Sequence, residues 1–194
     1  MKTPPLSALI LGLAFLHAAP SQACTGITLK SKDGAFVFGR TMEWGSFDLH
    51  SRLVVVPRGH EYKSELPDGK HGLSWKTKHG AVGVDVVNKD LLADGMNEQG
   101  LCVNVLYHPG YAEYPAFDPA KSATTLGSLD VCQYLLTTCT TIEEVCAALA
   151  KVNMIGVVEP AIGLAPPIPR SASSPTRRTT TGNETMYELL TEDE

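Results

Sequence analysis

The spacing of apolar residues divides the chain into three zones. From Thr25 to Tyr107, apolar and polar positions alternate in short runs, the two-residue period of strands. Thr25 to Lys30 predicts one strand, Ser31-Lys32-Asp33-Gly34 a turn, and Ala35 to Met42 a returning strand. Arg52 to Pro57 contains Leu53-Val54-Val55-Val56, the run of a buried strand that Pro57 ends. Ala81 to Val87 and Leu101 to Tyr107 predict two more strands, and Gly95-Met96-Asn97-Glu98-Gln99-Gly100 reads as a tight turn between them. Glu61 to Lys78 is polar and rich in turn residues, and no strand is assigned there.

After Pro119 the spacing lengthens. Leu129, Cys132, Leu135 and Leu136 recur at helical intervals and predict a helix over Leu126 to Thr138. Thr141-Ile142-Glu143-Glu144 has the form of a capping box and opens a second helix, to about Val152. Cys132, Cys139 and Cys146 fall seven apart on this pair. Cys132 and Cys146 are expected to be small core residues on the inner helix faces, with a Cys139–Cys146 disulfide left open. In the last zone, from Pro169 to Glu194, there is no Val, Ile, Phe or Trp, and Ser, Thr and Arg dominate. Too little apolar surface is available there to offset the entropy of ordering, so a disordered tail is expected.

The N-terminus adds chemistry. Met1 to Ala23 has the form of a signal peptide: Lys2 is the positive end, Leu6 to Leu16 the apolar stretch, and Ser21-Gln22-Ala23 a small-x-small cleavage site. Cleavage after Ala23 makes Cys24 the first residue of the mature chain. A cysteine bearing a free α-amine holds a thiol and a base together. The amine's pKa of about 7.7–8.0 lets it accept the thiol's proton near neutrality. On the leader alone three fates of Cys24 stay open: nucleophile, lipid attachment site, or half of a disulfide in an oxidising compartment. Ser21 stands where a lipoprotein motif usually places leucine.

Bulk properties narrow the classes. Without its leader the 194-residue chain keeps 171 residues, enough for one domain with a core, and its net charge goes from −5 to −6. A mildly acidic chain lacking a basic cluster argues against nucleic acid as partner. Past the leader, no apolar run approaches the roughly 20 residues of a membrane span. A periplasmic or secreted location is therefore expected. Five cysteines are an odd number for a secreted chain, which fits one free, reactive thiol. There is no CxxC pair and no ligand spacing among the histidines, so no metal and no cofactor are expected.

Four blocks then appear in order: Cys24-Thr25-Gly26; Phe38-Gly39-Arg40-Thr41-Met42-Glu43-Trp44; Val56-Pro57-Arg58-Gly59; and Ala93-Asp94-Gly95-Met96-Asn97-Glu98-Gln99-Gly100-Leu101. Together they resemble the choloylglycine hydrolases, the bile-salt hydrolases and penicillin V acylases of the N-terminal nucleophile superfamily. The resemblance runs from Cys24 to about Ile168. It implies an α+β fold, an αββα sandwich of two antiparallel sheets between helical layers, here incomplete with the N-terminal half only. It also implies a small-molecule amide substrate and is compatible with a homo-oligomer.

Residue by residue, Cys24 matches the family nucleophile and Arg40 an arginine beside the thiol that favours the thiolate. Glu43 falls where an aspartate orients the α-amine, and Tyr107 on an oxyanion-hole position. Asn97 belongs to a turn motif and is read as structural. The implied organisation is a signal peptide over 1–23, a partial hydrolase-like domain over 24–168 and a polar tail over 169–194. Since the family runs to well over 300 residues, a C-terminally truncated member is expected, and a second oxyanion asparagine and a second arginine have no candidate here. The alternatives are a catalytically inactive relic or a lipid-anchored binding module.

Overall fold

The computed structural model describes residues 25–44, 47–107, 114–162 and 185–190. The elements run β1 (Thr25–Lys30), β2 (Phe36–Thr41), β3 (Leu53–Val56), β4 (Glu61–Glu65), β5 (His71–Lys76), β6 (Ala81–Val86), β7 (Leu91–Asn97), β8 (Cys102–Tyr107), β9 (Thr125–Gly127), α1 (Val131–Thr138), α2 (Ile142–Leu149), β10 (Asn153–Ile155) and β11 (Thr185–Leu190). Short 3₁₀ turns over Pro119–Thr124 and Ser128–Asp130 lead into β9 and α1. A five-stranded antiparallel sheet ordered β11-β8-β7-β6-β3 is the centre of the molecule. The hairpins β1–β2 and β4–β5 and the parallel pair β9–β10 form separate two-stranded sheets.

One face of the central sheet packs on α1. Leu135 and Leu136 of α1 are fully buried against Leu92 of β7 and Leu101 and Val103 of the β7–β8 segment, with Val145 of α2 behind them. Close approach of helix and sheet depends on glycine: a Cβ on Gly95 would lie 2.9 Å from the Leu136 Cδ1 atom. Helix α2 starts as its sequence predicts. Thr141 Oγ1 accepts from the Glu144 N–H at 3.3 Å, and the Glu144 carboxylate accepts from the Thr140 N–H at 2.7 Å.

Four expectations change. Glu61 to Lys78 forms the β4–β5 hairpin, because Tyr62 and Trp75 stack across it with ring centroids 5.2 Å apart and Trp75 meets Tyr134 of α1. The motif read as a turn from Gly95 is strand as far as Asn97; only 97–100 turns, with Gly100 at φ 86°. Cys146 is exposed, one residue round from the buried Val145, whereas Cys132 and Cys139 are core; all three are free thiols, which removes the Cys139–Cys146 disulfide. Finally, Thr185–Leu190 lies inside the segment expected to be a disordered tail. Its backbone instead pairs antiparallel with β8, from Thr185↔Tyr107 to Leu190↔Cys102. Met186, Tyr187, Leu189 and Leu190 give this stretch strand character, and the edge of β8 supplies unpaired backbone groups. The signal-peptide segment and the rest of the tail lie outside the described residues. No helix among the described residues is long and apolar enough to cross a membrane.

Candidate active site

The site is built from the hairpin upward. In β1–β2, Thr25 pairs with Thr41 and Gly26 with Arg40, and the Thr25 N–H also donates to Thr41 Oγ1 at 3.2 Å. Burial alternates along β2: Phe36, Phe38 and Arg40 are covered, while Val37, Gly39 and Thr41 are open. Arg40 therefore points to the covered side, where its side chain is only 6% exposed. There it meets β7. Arg40 Nη1 donates to the Ala93 carbonyl at 3.1 Å, and Nε lies 3.8 Å from Asp94 Oδ2. Nε also donates a long bond to the Thr41 carbonyl, 3.4 Å. Nη2 has no partner among the described residues.

Asp94 faces away from α1, because its neighbours Gly95 and Asn97 face the helix. Across the ladder it pairs with Asn104 of β8. Asn104 is 1% exposed, and neither polar atom of its side chain has a hydrogen-bond partner. Burial pushes the Asp94 carboxyl up, and the Arg40 charge and a Val84 backbone bond offset only part of that rise. Burial, then the Asp94 charge, likewise raises the Cys102 thiol, and burial raises Cys132 strongly. Neither thiol is thereby suited to attack near neutrality. On the open side of the hairpin, Thr25, Ile27, Leu29, Val37, Gly39, Arg40 and Thr41 line a mostly apolar concavity of about 330 Å³.

Of the residues that the sequence assigned to the site, Arg40 is seated on the hairpin against β7. Glu43, two residues past β2, is exposed. Tyr107 ends β8 and pairs through its backbone with Thr185. Cys24 lies outside the described residues, one peptide bond before Thr25. Asp94 and Asn104 were missed. Their signal was a lone polar residue set between apolar ones inside a strand, as in Val103-Asn104-Val105.

Arg58, Glu98 and Asn97, from the third and fourth sequence blocks, have structural roles. Arg58 grips Glu98 in a bidentate pair, 2.6 and 2.7 Å, and Glu98 also accepts from the Gly80 N–H at 2.7 Å. Those bonds hold the Glu98 carboxyl at about 2. Asn97 donates to the Leu136 and Cys139 carbonyls at 2.9 and 2.8 Å, and accepts from the Gln99 and Leu101 N–H groups at 3.0 and 3.1 Å. It thus closes its own turn and caps the end of α1.

Residues 24–170 match the family described as linear amide C-N hydrolases, choloylglycine hydrolase family. The chain belongs to that family. Among curated relatives, a bile salt hydrolase/transferase of Bifidobacterium longum is 29% identical over 140 residues, 71% of this chain and 42% of that protein. A penicillin V acylase of Pectobacterium atrosepticum is 30% identical over 158 residues, 78% of this chain and 41% of its own. The solved penicillin V acylase from Agrobacterium tumefaciens superposes with a TM-score of 0.59 at 29% identity, covering 69% of this chain and 40% of that one. A mutant conjugated bile acid hydrolase from Clostridium perfringens, 24% identical, shares the fold at TM-score 0.61 over 88% of this chain and 45% of its own. The fold is thus that of the N-terminal nucleophile hydrolases, and the chain spans about 40% of the length of the relatives it matches.

Proposed function

We propose that this protein is a secreted cysteine amidase that hydrolyses a linear amide of the penicillin V or conjugated bile salt class, with Cys24 as its N-terminal nucleophile. The observation that carries the reading is Arg40, held nearly buried on the hairpin that begins one residue after Cys24. Gly26 and Thr28 share the covered side of β1 with Arg40. A guanidinium beside a thiol favours the thiolate.

The α-amine takes the thiol proton, and the thiolate sulfur bonds to the amide carbonyl carbon. The carbonyl electron pair moves onto oxygen and returns as the C–N bond breaks. The departing amine takes the proton from the α-ammonium, leaving a thioester on Cys24. Water, deprotonated by the same amine, adds to the thioester carbonyl; the acid leaves and the thiol is restored. Tyr107 is proposed as a donor to the developing oxyanion, worth about 10²–10³ in rate for a donor of this kind.

The test is turnover of penicillin V and of a glycine-conjugated bile salt by the secreted protein and by Cys24→Ala. Wild-type turnover that falls to background in the variant is the expected result. Turnover that survives Cys24→Ala refutes the nucleophile, and an inactive wild type with a normal thermal unfolding transition refutes the enzyme.

A further inference from the structure

We infer that Asp94 is a positioning residue of this site: together with the Ala93 carbonyl it fixes the Arg40 guanidinium against β7. The inference rests on the functional reading above and deepens it. The resemblance gives Glu43 a different task, orienting the α-amine, and Glu43 is exposed. Among the described residues, Asp94 is the carboxylate paired with Arg40, at 3.8 Å, with side-chain exposures of 18% and 6%. β7 therefore holds two adjacent points of the guanidinium: Nη1 is bonded to the Ala93 carbonyl and Nε faces the Asp94 carboxylate.

Two features of the surroundings favour fixing over simple charge balance. Asp94 sits on a strand locked on both sides, by β6 and by β8, so its carboxylate has little freedom to follow a wandering arginine. Its cross-strand neighbour Asn104 is buried with both side-chain polar atoms unpartnered, so it does not draw the Asp94 carboxylate away from Arg40. The other titratable groups near Asp94 and Arg40 are thiols, Cys102 of β8 and Cys132 of α1, and burial keeps both neutral. With a neutral amide at position 94, only the bond to the Ala93 carbonyl and the long one to the Thr41 carbonyl would oppose the rotamer freedom of an arginine stem.

The experiment is the pH profile of Cys24 alkylation by iodoacetamide in the secreted full chain. The modified N-terminal peptide is read by mass spectrometry, so that the other four cysteines do not contribute. It compares wild type, Asp94→Asn, Asp94→Glu and Arg40→Gln. Wild-type Cys24 should titrate below the ordinary cysteine value of about 8.5. Asp94→Asn should move the profile up by about one unit, which makes alkylation at pH 6 roughly tenfold slower. Asp94→Glu should recover most of that loss, and it is the fallback if the asparagine variant does not fold. An Asp94→Asn profile that overlays wild type while Arg40→Gln is shifted overturns the inference. So does a downward shift, the result expected if Asp94 acted only by neutralising Arg40. If Arg40→Gln also leaves the profile unmoved, the thiolate role of Arg40 fails, and the role of Asp94 with it.

Discussion

Asn97→Ala is expected to destabilise the protein by about 3–5 kcal/mol, the upper end for a single substitution. The side chain is 3% exposed and makes four hydrogen bonds, all to backbone. Removing it strands the Leu136 and Cys139 carbonyls at the end of α1 and two N–H groups of the following turn. Burial keeps water from replacing those partners, and each orphaned group costs about 1–3 kcal/mol before relaxation. Thermal unfolding should fall by roughly 10 °C for a chain of this size. Asn97→Asp is informative in a second way. It preserves both acceptor bonds but sets a carboxylate against two carbonyl oxygens, so it should be no milder than alanine at pH 7. A loss under 1 kcal/mol for alanine, measured by urea unfolding, would refute the capping role.

Arg52→Ala should also destabilise the protein, because it leaves the buried Asp85 carboxylate without its counter-charge, and its signature is in the pH dependence. Asp85 is fully buried, and both its oxygens are held by Arg52: one by the backbone N–H at 2.7 Å, the other by Nε at 2.8 Å and by Nη2. Arg52 also reaches Asp90 at 2.8 Å. The two aspartates bracket the β6–β7 turn, where Val87, Asn88 and Asp90 all adopt positive φ, a conformation that costs about 1 kcal/mol or more for each such residue. Arg52 therefore clamps a strained turn as well as a buried charge. Burial alone would push the Asp85 carboxyl up, but the bonds and charge of Arg52 and a backbone bond from Asp90 hold it below the ordinary value.

A depressed carboxylate contributes stability that is present above its unfolded pKa, about 3.9, and is lost as pH falls through the lower folded pKa. Without the guanidinium, burial raises Asp85 instead, and protonation then relieves the penalty. The difference between wild type and Arg52→Ala should be largest at pH 7 and shrink by pH 4. A pH-independent difference would show that packing, not charge, is what Arg52 supplies.

The hairpin at the start of the domain, the strands β3, β6 and β8, and the capped helix α2 were legible because local signals agree there, but β3, expected to be buried, is an edge strand with Leu53 and Val55 exposed. Alternation, turn residues and a capping box all point one way. The β4–β5 hairpin was illegible because its stability comes from Tyr62, Trp75 and Tyr134 packing across elements far apart in sequence. Gly95-Met96-Asn97 looked like a turn because of its glycine. That glycine is there for Leu136, a tertiary reason no local pattern carries. The same holds for the site. Asp94 was absorbed into a motif, and its contact with Arg40 joins β2 to β7, elements far apart in sequence.

Intact mass with N-terminal sequencing of the purified protein tests whether Cys24 works as a free N-terminal nucleophile. The mature chain should begin at unmodified Cys24 and, when mixed with substrate and quenched early, gain the mass of one acyl group on its N-terminal peptide. A retained leader, or a lipid on Cys24, removes the free α-amine and contradicts the mechanism.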